Sequence, residues 1–266
     1  YFTRSISLSS AMHVALPESP HLGLARALAA LENLEQAEAH LAEALASSGT
    51  SNDRLQMAHV HFYLGDLYLA DEQFDRAGEH FEEVESIARS IGHTQLWLDS
   101  HIRRAYLSFD AGDPSEAYDQ LSQTMELAED VGDDDSEVLV RAHIIFLQLL
   151  EHDFGAEGDT FGSLLKKSKE KGLHRSAVIC NFFRADIMAA RGEVESARDL
   201  LRDARAAASQ IGDYALFIPI ARREYLLQKE LGELGDPHEG AGYAIGAIVP
   251  PEKRRRRFDE ARLGKR

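Results

Sequence analysis

Twelve histidines invite a search for metal ligands. His59 and His61 stand two apart in a stretch that reads as helix, which turns them about 200° around its axis, so they cannot share one ion. His61 and His101 hold matching slots 40 residues apart, where packing or hydrogen bonding is the expected role. Asp133, Asp134 and Asp135 lack the alternation and the glycine of a calcium loop. Because they precede Ser136 and Glu137, they read as acids at a helix N-terminus. Cys180 lies in an apolar stretch and reads as an inert buried thiol. Gly240, Gly242 and Gly246 follow no strand, and there is no Gly-Lys-Ser/Thr phosphate loop. No Ser, His and Asp set can be assembled from the sequence alone. The expectation is a chain with no catalytic residues, no metal and no cofactor, and one that is not an enzyme.

A repeat must position whatever this chain presents. Ala37, Ala77, Ala117 and Ala197 recur at steps of 40, with Glu157 in the missing slot. Four residues after each slot stand Leu41, Phe81, Leu121, Phe161 and Leu201. Gly92, Gly132, Gly172 and Gly212 keep the same step and open a break in the apolar pattern. A fixed period of this length marks a solenoid, in which one supersecondary unit stacks on its copies. Each unit reads as two helices: 22–31 and 35–46, 58–70 and 74–91, 98–111 and 115–131, then units over 137–171 and 177–211. A last helix over 215–231 has no regular partner and reads as a cap. Pro114 suits the first turn of its helix, where the missing N–H costs nothing. The small residues Gly65 and Ala105 are expected to face Ala77 and Ala117, allowing the two helices of a unit to approach closely. The fourth unit should be irregular, because Gly155, Gly158 and Gly162 interrupt its second helix at ~1 kcal/mol each relative to Ala.

Leu64-Gly65-Asp66-Leu67-Tyr68, followed by Phe74, Ala77 and Phe81, resembles a tetratricopeptide repeat. The 40-residue step exceeds that family's usual 34 and resembles the long variety of bacterial signalling ATPases and maltose-regulon-type activators. The likeness covers roughly 18–231. The family's early Trp slot holds His21, His61, His101, Arg141 and Asn181, and its late Pro is replaced by the glycine ladder. The resemblance implies an all-α, right-handed α-solenoid of helix-turn-helix repeats. It also implies that the first helices line a concave groove for a protein or peptide.

Positions spaced i, i+4, i+7 on those first helices share a face. They hold Phe62, Asp66 and Leu69; Ile102, Tyr106 and Phe109; Ala142, Phe146 and Leu149; Phe182, Asp186 and Ala189. The expected partner-binding residues are Phe62, Asp66, Ile102, Tyr106, Phe109, Phe146, Leu149, Phe182 and Asp186. Tyr106 and Phe146 are expected to place their rings side by side. Against this stands the alternative that these aromatics only pack the stack, since first helices are squeezed on both sides.

Net charge is −16, but residues 250–266 carry +5, which leaves −21 on the remainder. An acidic body argues against general nucleic-acid binding. The cluster Glu126, Glu129, Asp130, Asp133, Asp134, Asp135 and Glu137 lies one repeat before Lys166, Lys167, Lys169, Lys171 and Arg175. Either Glu126 and Glu129 pair with Lys166 and Lys169 across adjacent second helices, or the acids form a patch for a basic partner. The basic run 253–257 is expected to stay outside the packed array, docking on the acidic body, leading to a further domain, or touching nucleic acid or anionic lipid.

The expected organisation is an N-terminal extension or linker over 1–17, a five-repeat solenoid with capping helix over 18–234, and a tail over 235–266. The lone Cys180, the absence of an apolar run of 18 residues and the Ser-rich start point to a cytoplasmic chain without a membrane span. The missing initiator Met suggests a processed product or a fragment. The expected function is an interaction scaffold or adaptor within a larger bacterial signalling or regulatory protein. The alternative is a ligand-sensing domain controlling an attached ATPase, kinase, protease or DNA-binding domain.

Overall fold

The computed structural model describes residues 20–30, 33–151 and 161–231. The expected N-terminal extension, the Glu157 slot with Gly155 and Gly158, and the C-terminal tail with its basic run lie outside the described residues. Among the described residues eleven helices and no strand occur: α1 (Pro20–Ala30), α2 (Leu34–Ser51), α3 (Arg54–Ala70), α4 (Phe74–Ile91), α5 (Thr94–Asp110), α6 (Pro114–Val131), α7 (Asp134–Glu151), α8 (Gly162–Lys171), α9 (His174–Ala190), α10 (Val194–Gln210) and α11 (Tyr214–Glu230). No helix among them is long and apolar enough to cross a membrane.

The turns explain the regularity. Asn52, Glu72, Gly92, Gly112, Gly132, Gly172, Gly192 and Gly212 all have positive φ, between 53° and 83°. They fall on one 20-residue cadence, of which position 152 lies outside the described residues. At each, the next residue's N–H reaches back to the carbonyl five positions earlier: Asp53 to Ser48, Gln73 to Tyr68, His93 to Ala88, Asp113 to Ser108 and so on to Asp213 and Ala208. This is a Schellman closure, which satisfies carbonyls that the helix end leaves over. The residue that completes it then caps the next helix, as Asp53 does for the N–H of Gln56 (3.0 Å), Asp113 for Glu116 (3.2 Å) and Asp213 for Leu216 (3.1 Å). Closing one helix and starting the next within three residues forces antiparallel neighbours. The same caps carry α3 and α5 to Arg54 and Thr94, about a turn earlier than their apolar patterns indicate. Glu72 adopts the left-handed conformation without a glycine's freedom at φ 62°.

The chain divides into two compact units, the division falling within α5 between Ser100 and His101. In the first, α1 packs on α2, α2 on α3 and α3 on α4, with α1 also touching α3. In the second, α6 packs on α7, α9 packs on α7, α8, α10 and α11, and α7 touches α8. Consecutive helix pairs with first helix against first helix are the arrangement of a tetratricopeptide-type solenoid. Every described position of the alanine and large-apolar ladders is buried: Ala37, Ala77, Ala117 and Ala197, and Leu41, Phe81, Leu121, Phe161 and Leu201.

Gly65 serves this packing, though against a different neighbour from the one expected. A Cβ there would lie 2.5 Å from Cε1 of Phe81 and 2.8 Å from its Cδ1 and Cζ. The ring, rather than Ala77, occupies the space the glycine leaves, and it is wholly buried, so it has nowhere to retreat. Alanine at 65 gains ~1 kcal/mol of helix propensity but overpacks the core at a cost of ~1–3 kcal/mol. Gly65→Ala should therefore lower the urea unfolding midpoint. Adding Phe81→Leu should recover part of the loss. A Gly65→Ala chain at least as stable as the parent would show that the ring moves freely.

Candidate interaction surface

The nine residues expected to meet a partner are all buried. Phe109 is fully enclosed, and Phe62 is the most accessible at 6%. Within the units, α3 is flanked by α1, α2 and α4, and α9 by α7, α8, α10 and α11, and this crowding covers the apolar face. In the first unit the Phe62 ring stands edge-on to Phe81, centroids 5.9 Å apart. In the second unit three of the residues form a series. Tyr106 Oη lies 2.9 Å from Nδ1 of His143, Phe146 stacks on Phe183 at 4.2 Å and 6°, and Arg223 Nε donates to Asp186 Oδ1 at 2.6 Å. Each contact spans 37 residues, not 40. The rings of Tyr106 and Phe146 thus each meet a residue one helical turn before the matching slot, because neighbouring first helices are displaced by about one turn, or ~5 Å, along their axes.

Phe183 joins this series into one aromatic body, touching His143 at 4.9 Å, Phe182 at 6.0 Å and Phe161 at 6.1 Å. At the far end Glu224 accepts from Arg205 Nε at 2.6 Å, tying α11 to α10. Cys180 is buried beside these helices, and burial together with the nearby Asp135 charge pushes its thiol up to about 12, so it stays protonated and inert.

What the first helices leave open is a neighbouring face. On α7, Arg141 and Gln148 are exposed and Ile144 is half-buried; on α9, Asn181, Arg184 and Met188 are half-buried. These positions run i, i+3, i+7 on each helix and repeat at a step of 40, so they form two parallel stripes mixing apolar and polar groups. Sequence reasoning passed over them because it followed the most apolar slots, and those are the ones packing consumes. The usable signal was their mixed character, constant in register and variable in type.

The acidic cluster divides. Asp133 accepts from the Asp135 N–H at 3.2 Å and from Ser136 Oγ, a helix-start role as expected. Lys167 meets Glu137 at 2.9 Å and Asp134 at 3.3 Å, and Lys171 meets Asp134. Hydrogen bonding from Lys171, then from Lys167, holds the Asp134 carboxyl below its ordinary range. The pairing therefore joins the first and second helices of one repeat. The expected partners across repeats are not used: Lys166 lies near Glu170, and Glu126, Glu129 and Asp130 are exposed on α6.

In the first unit the histidines fall into pairs absent from the sequence reading. His61 on α3 and His80 on α4 bring their Nδ1 atoms to 2.9 Å, and Tyr68 stacks on His80 at 5.3 Å and 11°. The Arg76 guanidinium sits 3.8 Å from the Tyr68 ring centre, and the Tyr68 hydroxyl donates to Glu38. Burial, then the neighbouring His61 and Arg76, pushes His80 down to about 4. Below pH 6.5 the unfolded chain takes up a proton that the folded chain refuses, so stability is full above that pH and falls as pH drops from 6.5 to about 4. For this half-exposed pair the loss is ~1–2 kcal/mol after solvent screening. His80→Gln should flatten that part of a pH-resolved urea titration. An unchanged slope between pH 6.5 and 4 would remove His80 as its source.

Residues 18–90 match the family model of the tetratricopeptide repeat, so that stretch is similar to that family. No curated protein matches the chain.

Proposed function

We propose that this tetratricopeptide-like chain is a scaffold or adaptor module that receives a peptide or helix of another protein along its first helices, within a larger regulatory or signalling protein. Repeats of this family generally mediate protein–protein contact. The observation that carries the reading is the pair of partly exposed stripes on α7 and α9. Ile144 and Met188 offer apolar anchors, while Arg141, Arg184, Gln148 and Asn181 offer polar selection. The nine buried residues enter this reading as the floor that fixes the spacing of those stripes. The exposed acids Glu126, Glu129 and Asp130 would favour a partner carrying basic groups beside its apolar anchor. Nothing in this reading asks the array to do chemistry of its own.

The test is a displayed peptide library selected on the full chain, followed by Ile144→Glu and Met188→Glu. Each substitution should weaken the selected peptides tenfold or more, with the melting midpoint within a few degrees of the parent, while Ile91→Glu on α4 leaves binding intact. Peptides indifferent to both α7 and α9 substitutions, or lost with Ile91→Glu, would move the site to another surface.

A further inference from the structure

We infer that His21, His40 and Glu43 form a binding site for a divalent transition-metal ion such as Zn²⁺, clamping α1 to α2. His21 lies on α1, and His40 and Glu43 lie three apart on one face of α2. The two Nδ1 atoms are 3.1 Å apart, and Oε2 of Glu43 lies 2.6 Å from His21 and 3.2 Å from His40. An ion ~2 Å from all three would stand about 1 Å out of their plane, the geometry of a facial two-histidine, one-carboxylate set. The remaining positions open to solvent, since the side chains are 25%, 28% and 58% exposed.

Hydrogen bonding accounts for this triangle poorly. Two neutral imidazoles can each donate an Nδ1 proton to the carboxylate, but the two N–H groups then face each other at 3.1 Å. A cation on the open side satisfies all three lone pairs at once.

The second repeat provides an internal comparison. His61, His80 and Glu83 stand 40 residues after His21, His40 and Glu43, and the two histidines meet at 2.9 Å. Among the described residues, however, only the first set brings three ligand atoms together. The second pair also has Tyr68 stacked on His80 and the Arg76 guanidinium beside it. The corresponding first-repeat positions are Leu28 and Gln36, which bring neither a ring nor a positive charge against an arriving cation. The same backbone register thus yields a metal-competent trio in one repeat and a cation-hostile pair in the next.

The test uses the full chain without an added histidine tag, stripped with a chelator and titrated with Co²⁺ by visible absorption and with Zn²⁺ by calorimetry. One ion per chain should bind, and Zn²⁺ should raise the melting midpoint. His40→Asn should weaken binding at least tenfold. So should Glu43→Gln, an exposed and isosteric change that spares the fold. His61→Asn and His80→Asn should leave the affinity unchanged. No binding at millimolar Zn²⁺, binding indifferent to His40→Asn and Glu43→Gln, or equal loss with His80→Asn would each overturn the assignment.

Discussion

Arg223→Ala is expected to destabilise the second unit by ~3–5 kcal/mol, because it removes the guanidinium that compensates a buried carboxylate. Asp186 is 1% exposed and the Arg223 side chain 11%, and the two meet at 2.6 Å. Such a pair contributes little net stability, since desolvating both charges offsets most of their attraction, but removing one partner leaves the other's desolvation uncompensated. Asp186→Leu with Arg223→Leu should therefore be far more stable than Arg223→Ala alone. Urea unfolding of the three chains separates the cases. A loss under ~1 kcal/mol for Arg223→Ala would mean that Asp186 is held adequately by other groups. The same substitution should loosen α11 first, since Arg223 links that helix to α9.

Phe146→Ala should cost a similar amount, ~3–5 kcal/mol, by opening a cavity beside Phe183. Phe146 and Phe183 are each 1% exposed and lie parallel at 4.2 Å, so the lost ring has no solvent-facing substitute. The melting midpoint should fall by on the order of 10 °C. Tyr106→Phe, which removes one hydroxyl from His143 and leaves the ring, should cost only ~1–3 kcal/mol. Peptide binding should survive Phe146→Ala wherever the chain remains folded, because the partner is placed on the Ile144 and Met188 stripes. Lost binding with an unchanged melting midpoint would return Phe146 to the partner-contacting surface and overturn its role as floor.

Local signals determined the architecture. The Ala and large-apolar ladders declare which positions two helices must bury, and Gly92, Gly132, Gly172 and Gly212 declare where a helix must end. Both are properties of a few adjacent residues repeated, so sequence spacing suffices to read them. A finer cadence was also present but partly disguised, because Asn52 and Glu72 fill left-handed positions that glycine fills elsewhere. Tertiary structure decided everything that depends on a neighbouring helix. The face chosen for partners, from Phe62 to Asp186, is equally suited to partner or stack by its pattern; the flanking helices bury it and leave Arg141 and Gln148 exposed and Ile144 half-buried. The 37-residue contacts that join Tyr106 to His143 and Asp186 to Arg223 arise from an axial offset that no periodicity records. For the same reason His21 and His40 read in sequence as unrelated residues 19 apart, and only the antiparallel return of α2 against α1 brings their nitrogens to 3.1 Å.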